Sequence, residues 1–209
     1  MGGVYCGDAF LVKKEVGMGL KKTIDRFVFR PWVRWIYPEY HRPEEGYQTC
    51  YGVIRRYWFF QKVLRINGRV PWPVDFRSKV FHHDKIQKGV ICEPGDSPGM
   101  YVNAAGGMQL GNNIEFGPNV VLSSVNHYKY DYRKTGMAKG ITIGDNVWIG
   151  ANAVVTAGSK IGSNVIVGAG VVVRGTIPDN CTVVPKERDY DIVPHTKNFE
   201  YDFRADTLI

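Results

Sequence analysis

The sequence predicts a mainly β protein, a three-sided parallel β-helix of six-residue repeats with an N-terminal helical and irregular extension. Three observations predict it. An aliphatic residue recurs every six positions at Ile143, Ile149, Val155, Ile161, Val167 and Val173. Glycine follows it at Gly144, Gly150, Gly162 and Gly168, and the third position after it is Asn146, Asn152, Gly158, Asn164 or Gly170. The pattern also occurs earlier, at Leu110, Phe116 and Leu122 with Gly111, Gly117, Asn113 and Asn119. Asn and Gly tolerate the left-handed backbone that a sharp corner between short strands needs, whereas a helix would not tolerate so many glycines. Repeats at a fixed period stack into a solenoid whose neighbours bury one continuous core.

The elements follow in order. Residues 1–79 form the extension. Lys21 to Trp35 carries Arg26, Arg30 and Arg34 at four-residue spacing among Phe27, Phe29, Trp32 and Trp35, and Pro31 divides it into two short helices. Gln48 to Ile66 reads as another helix, with Tyr51, Ile54, Trp58 and Val63 on one face and Arg55, Arg56, Lys62 and Arg65 adding charge. Two readings stay open for this region: a basic aromatic surface for anionic lipid or a phosphorylated acceptor, or a cap on the open end of the coil. Val70 to Phe76, with Pro71 and Pro73, is an extended entry, and the coil spans 80–185 with irregular first turns. Glu93 to Gly99, holding Pro94 and Pro98, is a loop inside it. The repeat is broken once by the polar, aromatic run Asn126 to Lys134, which leaves the coil as a loop over 128–141, and 186–209 is a tail.

Composition sets the outer bounds. With 209 residues and 44% apolar content, one solenoid domain buries its own core. A net charge of +7 favours acidic partners, whether nucleic acid, anionic lipid or a phosphorylated small molecule. Cys6, Cys50, Cys92 and Cys181 are dispersed and are expected to be reduced thiols of a cytoplasmic protein. The N-terminus lacks a signal-peptide pattern and no apolar run is long enough to span a bilayer, so secretion and membrane insertion are not expected.

The interruption carries the chemistry. His127 sits where the loop leaves the rigid coil, and a neutral imidazole there can take a proton from a hydroxyl and return it to a leaving thiolate. Ser123 to His127, the polar loop, and then Ile143 to Gly150 with its Val-Trp-Ile-Gly ending resemble the hexapeptide-repeat acyltransferases, most closely the sugar and polysaccharide O-acetyltransferases. The resemblance covers about 80–185. It implies a left-handed β-helix, a homotrimer with active sites between subunits, acetyl-coenzyme A as donor, a saccharide acceptor, and no nucleic-acid partner.

By position, the resemblance makes His127 the general base for direct attack on the thioester. Trp148 lies beside acceptor or pantetheine, Gly150 and Ala151 offer backbone amides near the thioester, and pantetheine runs past Gly168 and Ala169. Coenzyme A phosphates call for cations, for which Lys160, Arg174 and Lys186 are the candidates. Thr182 to Arg188 departs from the family's Gly-x-Pro-Ala turn. Asn103, Asn126 and Asp131 are acceptor-binding candidates, and eighteen residues per turn would set Gln109 directly beneath His127. Turn chemistry competes for each of the polar residues.

Other classes fit less well. Solenoid carbonic anhydrases hold zinc on three histidines, but here only His127 lies in the regular coils, so no metal is expected. An N-acetyltransferase of nucleotide-linked amino sugars is the runner-up, although residues 1–68 show no α/β alternation with a phosphate loop. A non-catalytic scaffold leaves His127 unexplained. The extension suits a large or lipid-linked acceptor, with peripheral contact at the inner face of the cytoplasmic membrane.

Overall fold

The computed structural model describes residues 20–42, 48–128, 131–185 and 190–194. The chain winds in turn through three parallel sheets, the third side of its first turn being reduced to a single bridge from Cys92 to Ile114. Face one stacks β1 (Lys79–Phe81), β3 (Tyr101–Asn103), β6 (Val121–Ser123), β11 (Val154–Val155) and β14 (Val172–Val173). Face two stacks β2 (Ile86–Lys88), β4 (Met108–Leu110), β9 (Ile141–Ile143), β12 (Lys160–Ile161) and β15 (Thr176–Ile177). Face three stacks β5 (Ile114–Phe116), β10 (Val147–Ile149), β13 (Val165–Val167) and β16 (Cys181–Pro185), edged by antiparallel β17 (Tyr190–Pro194) from the tail.

The repeat residues do what their spacing demands. All nine aliphatic and aromatic repeat positions from Leu110 to Val173 are buried in one core running along the axis. Asn113, Asn119, Asn146, Asn152, Asn164, Gly158 and Gly170 all have positive φ, so the corners fall where the sequence set them. Along the edge between faces two and three, Asn113, Asn146, Asn164 and Asn180 form a ladder, each amide nitrogen donating to the next amide oxygen at 2.9–3.1 Å. This ladder satisfies corner groups that would otherwise compete with the strands.

The extension packs as two helices. The first is continuous from 20 to 36: a π-helical segment at Asp25–Phe29 runs straight into the α-helical Arg30–Ile36. Pro31 therefore does not divide it into two, because the wider π-helical turn just ahead of it accommodates the ring and the missing N–H. The second is α-helical over Cys50–Val53 and π-helical over Ile54–Val63. Its buried face is Cys50, Val53, Ile54, Tyr57 and Gln61, which corrects the expected face: Tyr51 and Val63 are exposed, and Trp58 is half-buried. The wider π turn and the pull of the coil end shift the phase.

Gln61 shows how the helices close the coil. Its amide nitrogen donates to the Trp72 carbonyl at 2.9 Å, and its oxygen accepts from the Val74 amide at 3.0 Å. Trp72 and Val74 in turn plug the open end of the coil core. The Glu93–Gly99 loop is also part of this junction, since Glu93 is fully buried against Arg42. Cys50, Cys92 and Cys181 are buried free thiols, and Cys6 lies outside the described residues.

Candidate active site

The interruption is not a plain loop: β7 (Val125–Tyr128) and β8 (Asp131–Ala138) form an antiparallel hairpin rising from the edge between faces one and two. Leu122 lies opposite Val155, whereas Val155 lies opposite Val173. The hairpin is thus an insertion that leaves the ladder above and below it in register. Strand pairing satisfies the backbone of a segment that has left the coil.

The root of the hairpin is clamped. Ser124 is fully buried, its hydroxyl donating to the Asn103 carbonyl at 3.0 Å and accepting from the Gly106 amide at 2.8 Å. Across from it, the Lys139 amide donates to the Ser124 carbonyl at 3.0 Å, and the Gly158 amide to the Lys139 carbonyl at 3.1 Å. The hairpin is therefore fixed to the corners one coil below and one coil above.

His127 is exposed on β7 opposite Thr135, with a register shift on each side of it. Gly136 makes that geometry possible, because a Cβ there would stand 2.6 Å from the His127 carbonyl oxygen and 2.9 Å from that of Asn126. A glycine here leaves room for the facing backbone where the candidate base is carried.

The other expected residues divide into three groups. Gln109 does not lie beneath His127: it stacks on Gln87 and under Thr142 on face two, because His127 has left the coil and pairs within the hairpin. It lines a groove of about 270 Å³ with Lys85, Gly106, Gly140 and Thr142 at the foot of the hairpin. Asn103 stacks under Ser123 on face one, and its side-chain oxygen accepts from the Ala105 amide at 3.2 Å. Asn126 is exposed beside His127. Of Asp131 only the backbone is described, as the first residue of β8. Lys160 and Arg174 are exposed on the same edge as the hairpin, in the coils above it. Lys186 lies outside the described residues.

Trp148, Gly150, Ala151, Gly168 and Ala169 form the third group, on face three and its far edge. Trp148 is 54% exposed between Glu115 and Ile166. Gly150 already donates its amide to the Val167 carbonyl at 2.7 Å, leaving Ala151 as the donor of the pair. In a three-sided coil, the edge between faces one and two points away from face three. One chain therefore does not bring His127 and Trp148 together.

Sequence reasoning also missed a buried ionic cluster. Arg42 pairs with Glu93, with Glu115 at 2.6 Å and with Asp96 at 3.1 Å. Burial pushes the Asp96 carboxyl up to about 7, with Arg42 opposing the rise and Glu93 and Glu115 adding to it. Arg42, Asp96 and Glu115 line a cavity of about 440 Å³ with Arg56 and Tyr57, and Glu115 lies beside Trp148 on face three. Gly136, a lone glycine in a polar run, was legible in principle, whereas nothing in sequence links Arg42 to Glu93.

Comparison with known proteins agrees with the coil. Residues 140–175 match the bacterial transferase hexapeptide family, described as six repeats. The match falls within the three-sided stack of parallel strands, where the six-residue repeat is most regular. The chain is 37% identical over 105 residues to a galactoside O-acetyltransferase of Lactococcus lactis, covering 44% of this chain and 51% of that protein. It is 36% identical over 103 residues to the galactoside O-acetyltransferase of Escherichia coli, with 44% and 51% covered. The chain thus spans about half the length of the curated relatives it matches. A maltose O-acetyltransferase structure from Clostridium difficile aligns with 25% identity and a TM-score of 0.48, over 58% of this chain and 64% of that one. Among the described residues, no group of three His, Cys, Asp or Glu side chains converges to hold a metal ion.

Proposed function

We propose that this protein is an acetyl-coenzyme A-dependent O-acetyltransferase acting on a hydroxyl of a sugar or surface-polysaccharide precursor. The observation that carries the reading is the match to two galactoside O-acetyltransferases, joined to the presentation of His127 on a clamped hairpin. The His127 imidazole takes the proton of the acceptor hydroxyl as that oxygen attacks the thioester carbonyl. The carbon–sulfur bond then breaks, and the same proton passes to the departing thiolate, so no acyl-enzyme forms. The Ala151 amide is the proposed oxyanion donor.

The residues fit the donor in charge and position. Lys160 and Arg174 stand on one coil edge above the hairpin, where they would meet phosphates while the acyl end reaches His127. Because His127 and Trp148 lie on opposite sides of one coil, the complete site is proposed to form between copies in a cyclic homotrimer. A cytoplasmic location is part of the proposal, since it keeps Cys50, Cys92 and Cys181 reduced. Calorimetric titration with coenzyme A tests the class without the acceptor. Saturable binding near one site per chain supports it, and absence of binding refutes it.

A further inference from the structure

The first helix has two apolar sides, and the fold buries only one. Phe29, Val33 and Ile36 face the second helix. On the opposite side Leu20, Phe27, Val28 and Trp35 are exposed, Trp35 at 81%, Phe27 at 71% and Leu20 at 62%, bordered by Ile24 at the cleft beside Tyr51 and by Trp32, whose ring tilts against Trp58 at 5.7 Å. A continuous outward row of this kind is unlike scattered surface apolar residues and marks a contact surface.

Its charge identifies the partner. Lys22, Arg26, Arg30 and Arg34 recur every four residues, with Lys21 beside them; Arg30 is half-buried, whereas Lys21, Lys22, Arg26 and Arg34 are exposed. The one acid of this helix, Asp25, has its carboxylate engaged by the backbone amides of Cys50 and Tyr51, at 2.9 and 2.7 Å. A cleft of about 410 Å³ walled by Ile24, Phe29 and Tyr51 opens between the two helices. An interfacial helix lays aromatic and aliphatic side chains into the headgroup boundary while its cations meet anionic lipid. We infer that residues 20–36 dock this protein on the surface of an anionic phospholipid bilayer, with Leu20, Phe27, Val28 and Trp35 inserted and the exposed Arg26 and Arg34 on the headgroups. No helix among the described residues is long and apolar enough to cross a membrane, so the contact is peripheral. The inference does not depend on acetyl transfer.

The test is co-sedimentation of the full chain with vesicles of phosphatidylcholine alone or of phosphatidylcholine mixed with phosphatidylglycerol. Binding is expected only to the mixed vesicles. Arg26→Gln with Arg34→Gln should weaken it about 25-fold, near fivefold per cation. Phe27→Ser with Trp35→Ser should weaken it at least as much, with unchanged circular dichroism, since both side chains are exposed. Failure to bind mixed vesicles, equal binding to neutral ones, or binding untouched by both pairs of substitutions overturns the inference. So does a smaller oligomer in light scattering for the Phe27 and Trp35 variant, which would make the row a contact between copies.

Discussion

Gly136→Ala is the substitution that separates a positioned His127 from a merely exposed one. The added methyl would stand 2.6 Å from the His127 carbonyl oxygen and 2.7 Å from its carbonyl carbon. Carbon and oxygen rest comfortably at about 3.3 Å, so the strands must part by roughly 0.7 Å at this pair. The methyl meets backbone, so no side-chain rotation relieves it. Misplacement near 1 Å in a catalytic group costs on the order of 100-fold, and we expect turnover to fall about 10- to 100-fold. The assay is thiol release from acetyl-coenzyme A with a galactoside acceptor, run beside a melting curve. The Michaelis constant for acetyl-coenzyme A should hold, because Lys160 and Arg174 belong to coils the hairpin does not disturb. Gly140→Ala is the control: its methyl would come only within 3.3 Å of the Gly106 carbonyl oxygen, and it should be nearly silent. Normal turnover in Gly136→Ala, or an equal loss in Gly140→Ala, would refute the positioning argument.

Arg42→Ala removes the cation shared by Glu93, Asp96 and Glu115, leaving Lys88 near Glu93, and should lower folding stability by about 3–5 kcal/mol in urea unfolding, with the melt of the helical extension affected first. Asp96 gives a signed pH dependence. Its folded-state carboxyl lies near 7, above the ordinary value of 3.8, so the folded protein holds that proton more tightly. Its contribution is complete below the unfolded value and is lost as pH rises toward 7, at up to about 1.4 kcal/mol per pH unit, and Asp96→Asn should flatten that limb of a stability profile. Arg174→Ala should raise the Michaelis constant for acetyl-coenzyme A about tenfold and leave the rate at saturation unchanged. An unmoved constant would make Arg174 surface charge.

The coil was legible because one physical requirement repeats. Each corner needs a residue that tolerates positive φ, and each turn needs one inward apolar side chain, so Asn146 and Ile149 announce their places by type and spacing. His127 was legible as the point where the count breaks. The pairing inside the insertion was not: nothing in the count says that Val125–Tyr128 pairs with Asp131–Ala138, and without that pairing Gln109 looked like the residue beneath His127. In the extension, Pro31 misled because a π-helical segment ahead of it lets the helix run on. The Arg42 cluster joins residues 51 and 73 positions apart, a distance over which no local pattern speaks.

The proposed role of His127 is that of the base in acetyl transfer from coenzyme A to a sugar hydroxyl. The direct measurement compares wild type with His127→Ala for thiol release from acetyl-coenzyme A in the presence of a galactoside, alongside coenzyme A titration of both. Acceptor-dependent release by the wild type is expected, with a loss of roughly a hundredfold or more in the variant and coenzyme A binding intact. Undiminished release by His127→Ala would contradict it.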